Sequence, residues 1–163
     1  MIKKLVIIFF YLTTITFAET VKDINVSGNE RISSETIKMF SNVRPGTIVD
    51  QKKLNEILKN LYQTNFFKNV KILINNNILN ITVIENPIIQ NIYFTGIKNK
   101  GLKEDIIKST TLKSRSSFNE ISIKEDINII LQTLRTNGHF FSEVEVLKDE
   151  FKDNKIDLTY EIN

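Results

Sequence analysis

An internal repeat constrains the fold of this 163-residue chain more than any other feature of its sequence. The segment LYQTNFFKNVKI at 61–72 returns as LRTNGHFFSEVEV at 134–146, and VKDINVSGNERIS at 21–33 matches IIQNIYFTGIKNKG at 88–101. The end of a helix, an aromatic pair and an alternating strand recur in the same order. The sequence therefore predicts two copies of one structural unit.

Three strands are predicted in each copy. Apolar residues alternate with polar ones before Gly28 and before Gly96, as in a half-buried strand that ends at a residue able to adopt positive φ. The aromatic pair precedes a second strand, and the last strands, ILNITVIEN and KIDLTYEIN, place Asn163 opposite Asn86. The residues expected on the buried face of these last strands are Leu79, Ile81, Val83, Ile156, Leu158, Tyr160 and Ile162.

Two helices are predicted between the first and second strands of each copy. Ser33 and Asp50 are the expected N-caps in the first copy, and Ser122 with Glu125 has the spacing of a capping box in the second. The residues expected to be buried on the second helix of each copy are Leu54, Ile57, Leu58 and Leu61, then Ile127, Leu131 and Leu134. The chain is thus predicted to be α+β, with domains at 19–86 and 87–163 joined directly at Asn86 and Pro87.

The N-terminus has the three parts of a secretory signal peptide at 1–18. Lys3 and Lys4 precede a short apolar run, and Thr16 and Ala18 are small residues before a cleavage site. The alternative, a membrane anchor, requires about 20 apolar residues, and threonines interrupt this run too early. We therefore expect export from the cytoplasm, and the complete lack of cysteine means that the exported domains rely on their cores alone.

The sequence predicts binding rather than catalysis. Cleavage would leave 20 basic and 19 acidic residues, which argues against a nucleic-acid partner. The single histidine, His139, is expected in a solvated turn, and the acidic pairs at 104–105 and 125–126 are expected in the first turns of helices, where they complement the helix dipole. No nucleophile with a base, metal cluster or phosphate loop is recognised, so we expect no enzyme activity, catalytic residue, cofactor or metal.

The aromatic pairs, Phe66–Phe67 and Phe140–Phe141, begin the second strand of each copy. Adjacent strand residues face opposite ways, so we expect at least one member of each pair in the core.

The repeated unit resembles the polypeptide-transport-associated (POTRA) domain. The segments VKDINVSGNERIS, LYQTNFFKNVKI and ENPIIQNIYFTG resemble more closely the first two POTRA domains of outer-membrane protein assembly factors of the BamA type. The resemblance implies two tandem domains, each with a three-stranded mixed sheet covered by two helices. It also implies a periplasmic location, exported by the signal peptide, in a longer protein with further POTRA domains and an outer-membrane barrel. A free-standing two-domain protein is the alternative.

The resemblance also implies a binding site and its partners. Each sheet would place its first strand beside its third, which leaves the second strand as an edge that can accept an extended peptide. The candidate peptide-binding residues are Val70, Lys71, Ile72, Leu73, Ile74, Val144, Glu145, Val146 and Leu147. The implied partners are unfolded outer-membrane protein precursors and accessory assembly lipoproteins. A POTRA module of two-partner secretion or autotransporter assembly, and a cell-division POTRA scaffold, remain as alternatives.

Overall fold

The computed structural model describes residues 18–163, which form two units of similar architecture. The first contains β1 (Glu19–Thr20), β2 (Asp23–Ser27), α1 (Ser34–Ser41), β3 (Ile48–Val49), α2 (Gln51–Gln63), β4 (Phe67–Asn75) and β5 (Ile78–Glu85). The second contains β6 (Ile88–Thr95), α3 (Lys100–Ser109), α4 (Glu120–Thr136), β7 (Val144–Phe151) and β8 (Lys155–Ile162). The predicted signal peptide lies outside the described residues except for Ala18, and no helix within 18–163 has the length and apolar character to cross a membrane.

Each unit has a three-stranded mixed sheet, so the predicted α+β class is confirmed. The strand orders are β2-β5-β4 and β6-β8-β7, with the first strand parallel and the second antiparallel to the central one. In the first unit, β1 and β3 add a short antiparallel pair. The buried faces of β5 and β8 are those expected from the alternation of apolar residues.

The helices of the first unit begin where the sequence predicts. The side chains of Ser33 and Asp50 accept hydrogen bonds from backbone N–H groups in the first turns of α1 and α2. The predicted capping box in the second unit is wrong, because Asn119 caps α4. The helix begins at Glu120, three residues earlier than a helix capped by Ser122 would begin. Two further residues of this helix, Glu125 and Asp126, consequently lie beyond the first turn.

A similar shift applies to α3, which Asn99 caps. Because the helix begins at Lys100, Glu104 and Asp105 lie beyond its first turn, and the dipole explanation for this acidic pair is wrong. The same correction holds for the pair in α4.

The core of each unit lies between its sheet and its helices. Ile57, Leu61 and Leu134 are buried as expected. The other predicted core residues of α2 and α4 are only half-buried, because they lie at the borders of the apolar stripe, where the helix turns toward solvent; they are Leu54, Leu58, Ile127 and Leu131.

Two glycines establish which residues of the two units correspond. A Cβ on Gly28 would lie against the carbonyl oxygen of Val83, and a Cβ on Gly96 would lie against that of Ile162. Val83 therefore corresponds to Ile162, and Asn163 corresponds to Ile84. The predicted alignment of Asn163 with Asn86 was wrong by two residues, because β8 begins seven residues before Ile162, whereas β5 begins only five residues before Val83.

The aromatic pairs differ between the units. Phe67 is buried, and Phe66 packs against Phe40 with ring centroids 5.8 Å apart. Phe140 and Phe141 are 65% and 97% exposed, so the prediction of a core residue in the second pair was wrong. The physical reason is that this pair lies in the turn before β7 begins, outside the sheet.

Candidate functional site

The outer strands of the two sheets, β4 and β7, contain all of the predicted peptide-binding residues. Residues 70–74 lie in β4 and residues 144–147 lie in β7. Within the described chain, each of these strands is paired on one side only, with β5 or with β8. The backbone groups on the other side are therefore available to a further strand.

Two hydrogen bonds show which backbone groups of β7 face outward. Glu143 and Asn163 exchange N–H···O bonds of 2.9 and 3.0 Å, so they form a hydrogen-bonded pair. Since such pairs alternate in an antiparallel ladder, Glu145 and Leu147 also direct their N–H and C=O groups toward β8. The outward backbone groups belong to the residues between them, Val144, Val146, Lys148 and Glu150.

The turn of the other hairpin establishes the corresponding pattern in β4. Asn76 and Asn77 both have positive φ and form a two-residue connection, whose flanking residues, Asn75 and Ile78, are a hydrogen-bonded pair. Counting back along the ladder, Lys71 directs its backbone toward β5. The outward groups belong to Val70, Ile72 and Ile74.

A tyrosine covers part of the β4 edge, which the sequence did not reveal. The hydroxyl oxygen of Tyr62, on α2, accepts a 3.1 Å hydrogen bond from the backbone N–H of Val70. The same hydroxyl lies 3.4 Å from the side-chain oxygen of Asn69, to which it donates. One outward donor of β4 thus already has a partner, whereas no side chain of the described residues is bonded to the outward N–H groups of β7 in this way.

Side chains divide the two edges into an inner and an outer face. Leu73 and Leu147 are about half exposed, and Lys71 and Glu145 are exposed. The alternate residues in both strands pack toward the core. Each edge therefore offers exposed backbone together with one exposed leucine and several exposed charged side chains.

A cleft between the units brings the ends of the two edges together. It has a volume of about 690 Å³ and is lined by Lys68 from β4 and by Glu150 and Phe151 from β7. The turn between β7 and β8 contacts the first unit, where the side-chain amide of Asn154 donates a 3.1 Å hydrogen bond to the carbonyl oxygen of Glu85. Residues at one end of each edge strand thus line the same cleft.

Asp126 was expected in a helix first turn but is fully buried. Its carboxylate accepts hydrogen bonds from the backbone N–H groups of Thr111 and Leu112, from the Thr111 hydroxyl, and from the hydroxyl of Tyr160 at 2.9 Å. Burial, the nearby charge of Asp126 and this hydrogen bond all raise the pKa of Tyr160. Since every contact is internal, Asp126 anchors the loop after α3 and has no part in a surface site.

A second buried carboxylate, Glu85, organises the loop after Gly28. It accepts hydrogen bonds of 2.9–3.0 Å from the backbone N–H groups of Glu30, Arg31 and Ile32, and it forms an ion pair of 3.0 Å with the Arg31 guanidinium. Burial alone raises the pKa of Glu85, but these backbone donors and the charge of Arg31 together lower it below its ordinary value. The ionised carboxylate therefore stabilises the end of the first unit.

His139 is exposed in the turn before β7. Among residues 18–163, no three His, Cys, Asp or Glu side chains are grouped so that they could hold a metal ion.

The POTRA family model, described as surface antigen variable number repeat, matches residues 19–86 and again 87–163. The outer membrane protein assembly factor BamA of Neorickettsia risticii is 32% identical over 76 residues, which is 47% of this chain and 10% of the relative. The chain thus matches only a small part of that relative's length.

Solved structures support the same fold. The N-terminal domain of Omp85 from Thermosynechococcus elongatus is 17% identical, with a TM-score of 0.60 over 89% of this chain and 62% of the other. POTRA1-2 of the periplasmic domain of Omp85 from Anabaena is 13% identical, with a TM-score of 0.58 over 90% of this chain and 96% of the other.

Proposed function

The chain belongs to the POTRA family, and from this premise we propose that it is the periplasmic binding region of an outer-membrane protein assembly factor of the BamA type. In this role the two domains bind unfolded barrel precursors before insertion into the outer membrane. The similarity to BamA over 76 residues supports this member of the family over the transport and cell-division alternatives.

The observation that carries the proposal is the outward-facing backbone of β4 and β7. An extended client segment can add to either strand as a fourth member of its sheet, with main-chain hydrogen bonds as the principal contacts. Main-chain pairing tolerates many client sequences, as a factor that handles different barrel strands requires. Val146 and Lys148 lie at the centre of the β7 edge and are the expected contact residues.

The interaction is expected to be weak and reversible. One added strand buries a small area, and the client loses conformational entropy as it becomes ordered. The exposed charges of Lys71 and Glu145 limit the pairing of these edge strands with the edge strands of other copies of the protein.

The remaining parts of the proposal concern location and partners. Residues 1–18 direct export to the periplasm, and the two domains are part of a longer protein whose barrel lies in the outer membrane. Accessory assembly lipoproteins bind the same periplasmic region.

The test uses an unfolded, fluorescently labelled barrel precursor and the matched variants Lys148→Pro and Lys148→Ala. Both variants remove the same side chain, but only proline also removes an outward N–H. Strand addition predicts that Lys148→Pro weakens binding and that Lys148→Ala does so much less. Equal affinities, with circular dichroism showing both variants folded, would contradict the proposal. Proline at Lys71 or Glu145 is unsuitable, because their N–H groups face the central strand.

A further inference from the structure

The open face of the second sheet, opposite its helices, is strongly acidic. Because Val144 and Val146 face the core, the alternate residues of β7 face solvent, and so do their cross-strand partners on β8. Four carboxylates lie on this face, against a single lysine, Lys155; the carboxylates are those of Glu145, Asp149, Asp157 and Glu161, and the half-exposed Leu147, Phe151 and Tyr93 accompany them.

The register places these carboxylates directly opposite one another. Glu145 pairs with Glu161, and Asp149 pairs with Asp157. Like charges at directly opposed positions destabilise a sheet. Within residues 18–163, none of these four side chains forms an ion pair, and Asp157 alone has a side-chain partner, Asn91.

The corresponding face of the first unit carries none of this charge. Since Val70 corresponds to Val144 and Val83 to Ile162, the four acidic positions are occupied by Lys71, Asn75, Ile78 and Thr82. Leu147 corresponds to Leu73, and both are about half exposed. The two edges thus have their outward backbone groups and an exposed leucine at corresponding positions, but they carry opposite charges at the position of Glu145.

We propose that the second unit selects extended segments in which alternate residues are lysine or arginine. A strand added to β7 places every second side chain on the open face, beside Glu145, Leu147 and Asp149. Basic residues would lie beside the two carboxylates and relieve their repulsion. This inference rests on the proposed strand addition and adds charge selectivity to it.

The charge of the face also distinguishes this occupant from others. A second copy of the same acidic face, or the surface of an anionic membrane, would be repelled. An extended basic segment matches the paired carboxylates in charge, and its backbone can form hydrogen bonds with the free β7 edge.

The experiment compares two nonapeptides with alternating valine, one with lysine and the other with glutamate at the intervening positions. Amide chemical shifts of the whole chain are followed at low salt. The lysine peptide should shift the amides of 144–151 and bind about tenfold more tightly than the glutamate peptide, with the difference declining at high salt. The double variant Glu145→Lys, Asp149→Lys should reverse the preference, and Lys71→Glu in the first unit should leave it unchanged.

Each other outcome contradicts a specific step. Equal binding of both peptides at 144–151 would overturn charge selectivity and leave strand addition intact. Binding of neither peptide, or shifts confined to helices, would overturn both. A dimer held through this face, detected by sedimentation and dissociated by the double variant, would replace the peptide as the occupant.

Discussion

The hydroxyl of Tyr160 donates a 2.9 Å hydrogen bond to the carboxylate of Asp126, and both residues are fully buried. Asp126→Ala leaves this hydroxyl and the N–H groups of Thr111 and Leu112 without an acceptor, so we expect a loss of about 3 kcal/mol or more in the free energy of unfolding. Tyr160→Phe should cost about 1.5 kcal/mol, because the carboxylate keeps its other donors. Urea denaturation measures both. A loss no larger than that of the exposed control Asp105→Ala would contradict the buried network.

Glu85 makes the stability of the first unit depend on pH. Its folded-state pKa is lowered by the N–H donors and by Arg31, which outweigh burial, so the stabilisation is present above the unfolded pKa of about 4.3 and is lost as pH falls through the folded pKa. Glu85→Gln should therefore be less stable than the parent at pH 7, and the difference should shrink below about pH 4. Denaturation at a series of pH values checks this, with Glu104→Gln as the exposed control. A difference that is independent of pH would contradict stabilisation by the ionised Glu85 carboxylate.

Gly96 is required by a close approach of two strands. A Cβ there would lie 1.8 Å from the carbonyl oxygen of Ile162, and the residue has a φ of +84°. Gly96→Ala should cost about 3 kcal/mol or more, through backbone displacement and left-handed strain. Gly138→Ala is the matched control, because its φ is +89° but no atom lies within 4 Å, and it should cost only about 1–2 kcal/mol. Equal losses in thermal denaturation would show that the strand contact is unimportant.

Tyr62 protects one backbone donor of the β4 edge. Tyr62→Phe removes the acceptor of the Val70 N–H, so hydrogen exchange of this amide should accelerate roughly threefold or more. The control is Tyr93→Phe, which changes an exposed tyrosine on β6 and should leave the exchange rate of the Val70 amide unchanged. Native-state exchange measured by NMR tests this, and unchanged exchange at Val70 would mean that the hydroxyl does not hold the edge.

The sequence predicts the repeated unit well because local patterns carry it. Alternating apolar residues located β5 and β8, and Ser33 and Asp50 marked helix starts. The role of Asp126 could not be predicted, because three of its partners come from the loop at 111–112 and one from Tyr160, and these contacts exist only after folding. Phe141 was misplaced because the residue pattern does not show where β7 begins.

The peptide-binding edges could likewise be predicted only in part. Its place on the second strand of each unit came from the family resemblance, while the direction of each N–H group depends on a hairpin register that no sequence pattern states. Tyr62 gave no signal, since its hydroxyl reaches Val70 from a neighbouring helix.

Strand addition is tested most directly by a residue-resolved NMR titration of the chain with a peptide from a barrel strand. Strand addition predicts that the largest amide shifts occur at Val144, Val146, Lys148 and Glu150, whose N–H groups face outward, and that Lys148→Pro reduces them throughout β7. Shifts confined to helices or loops, with the amides of β4 and β7 unaffected in the unmodified protein, would contradict it.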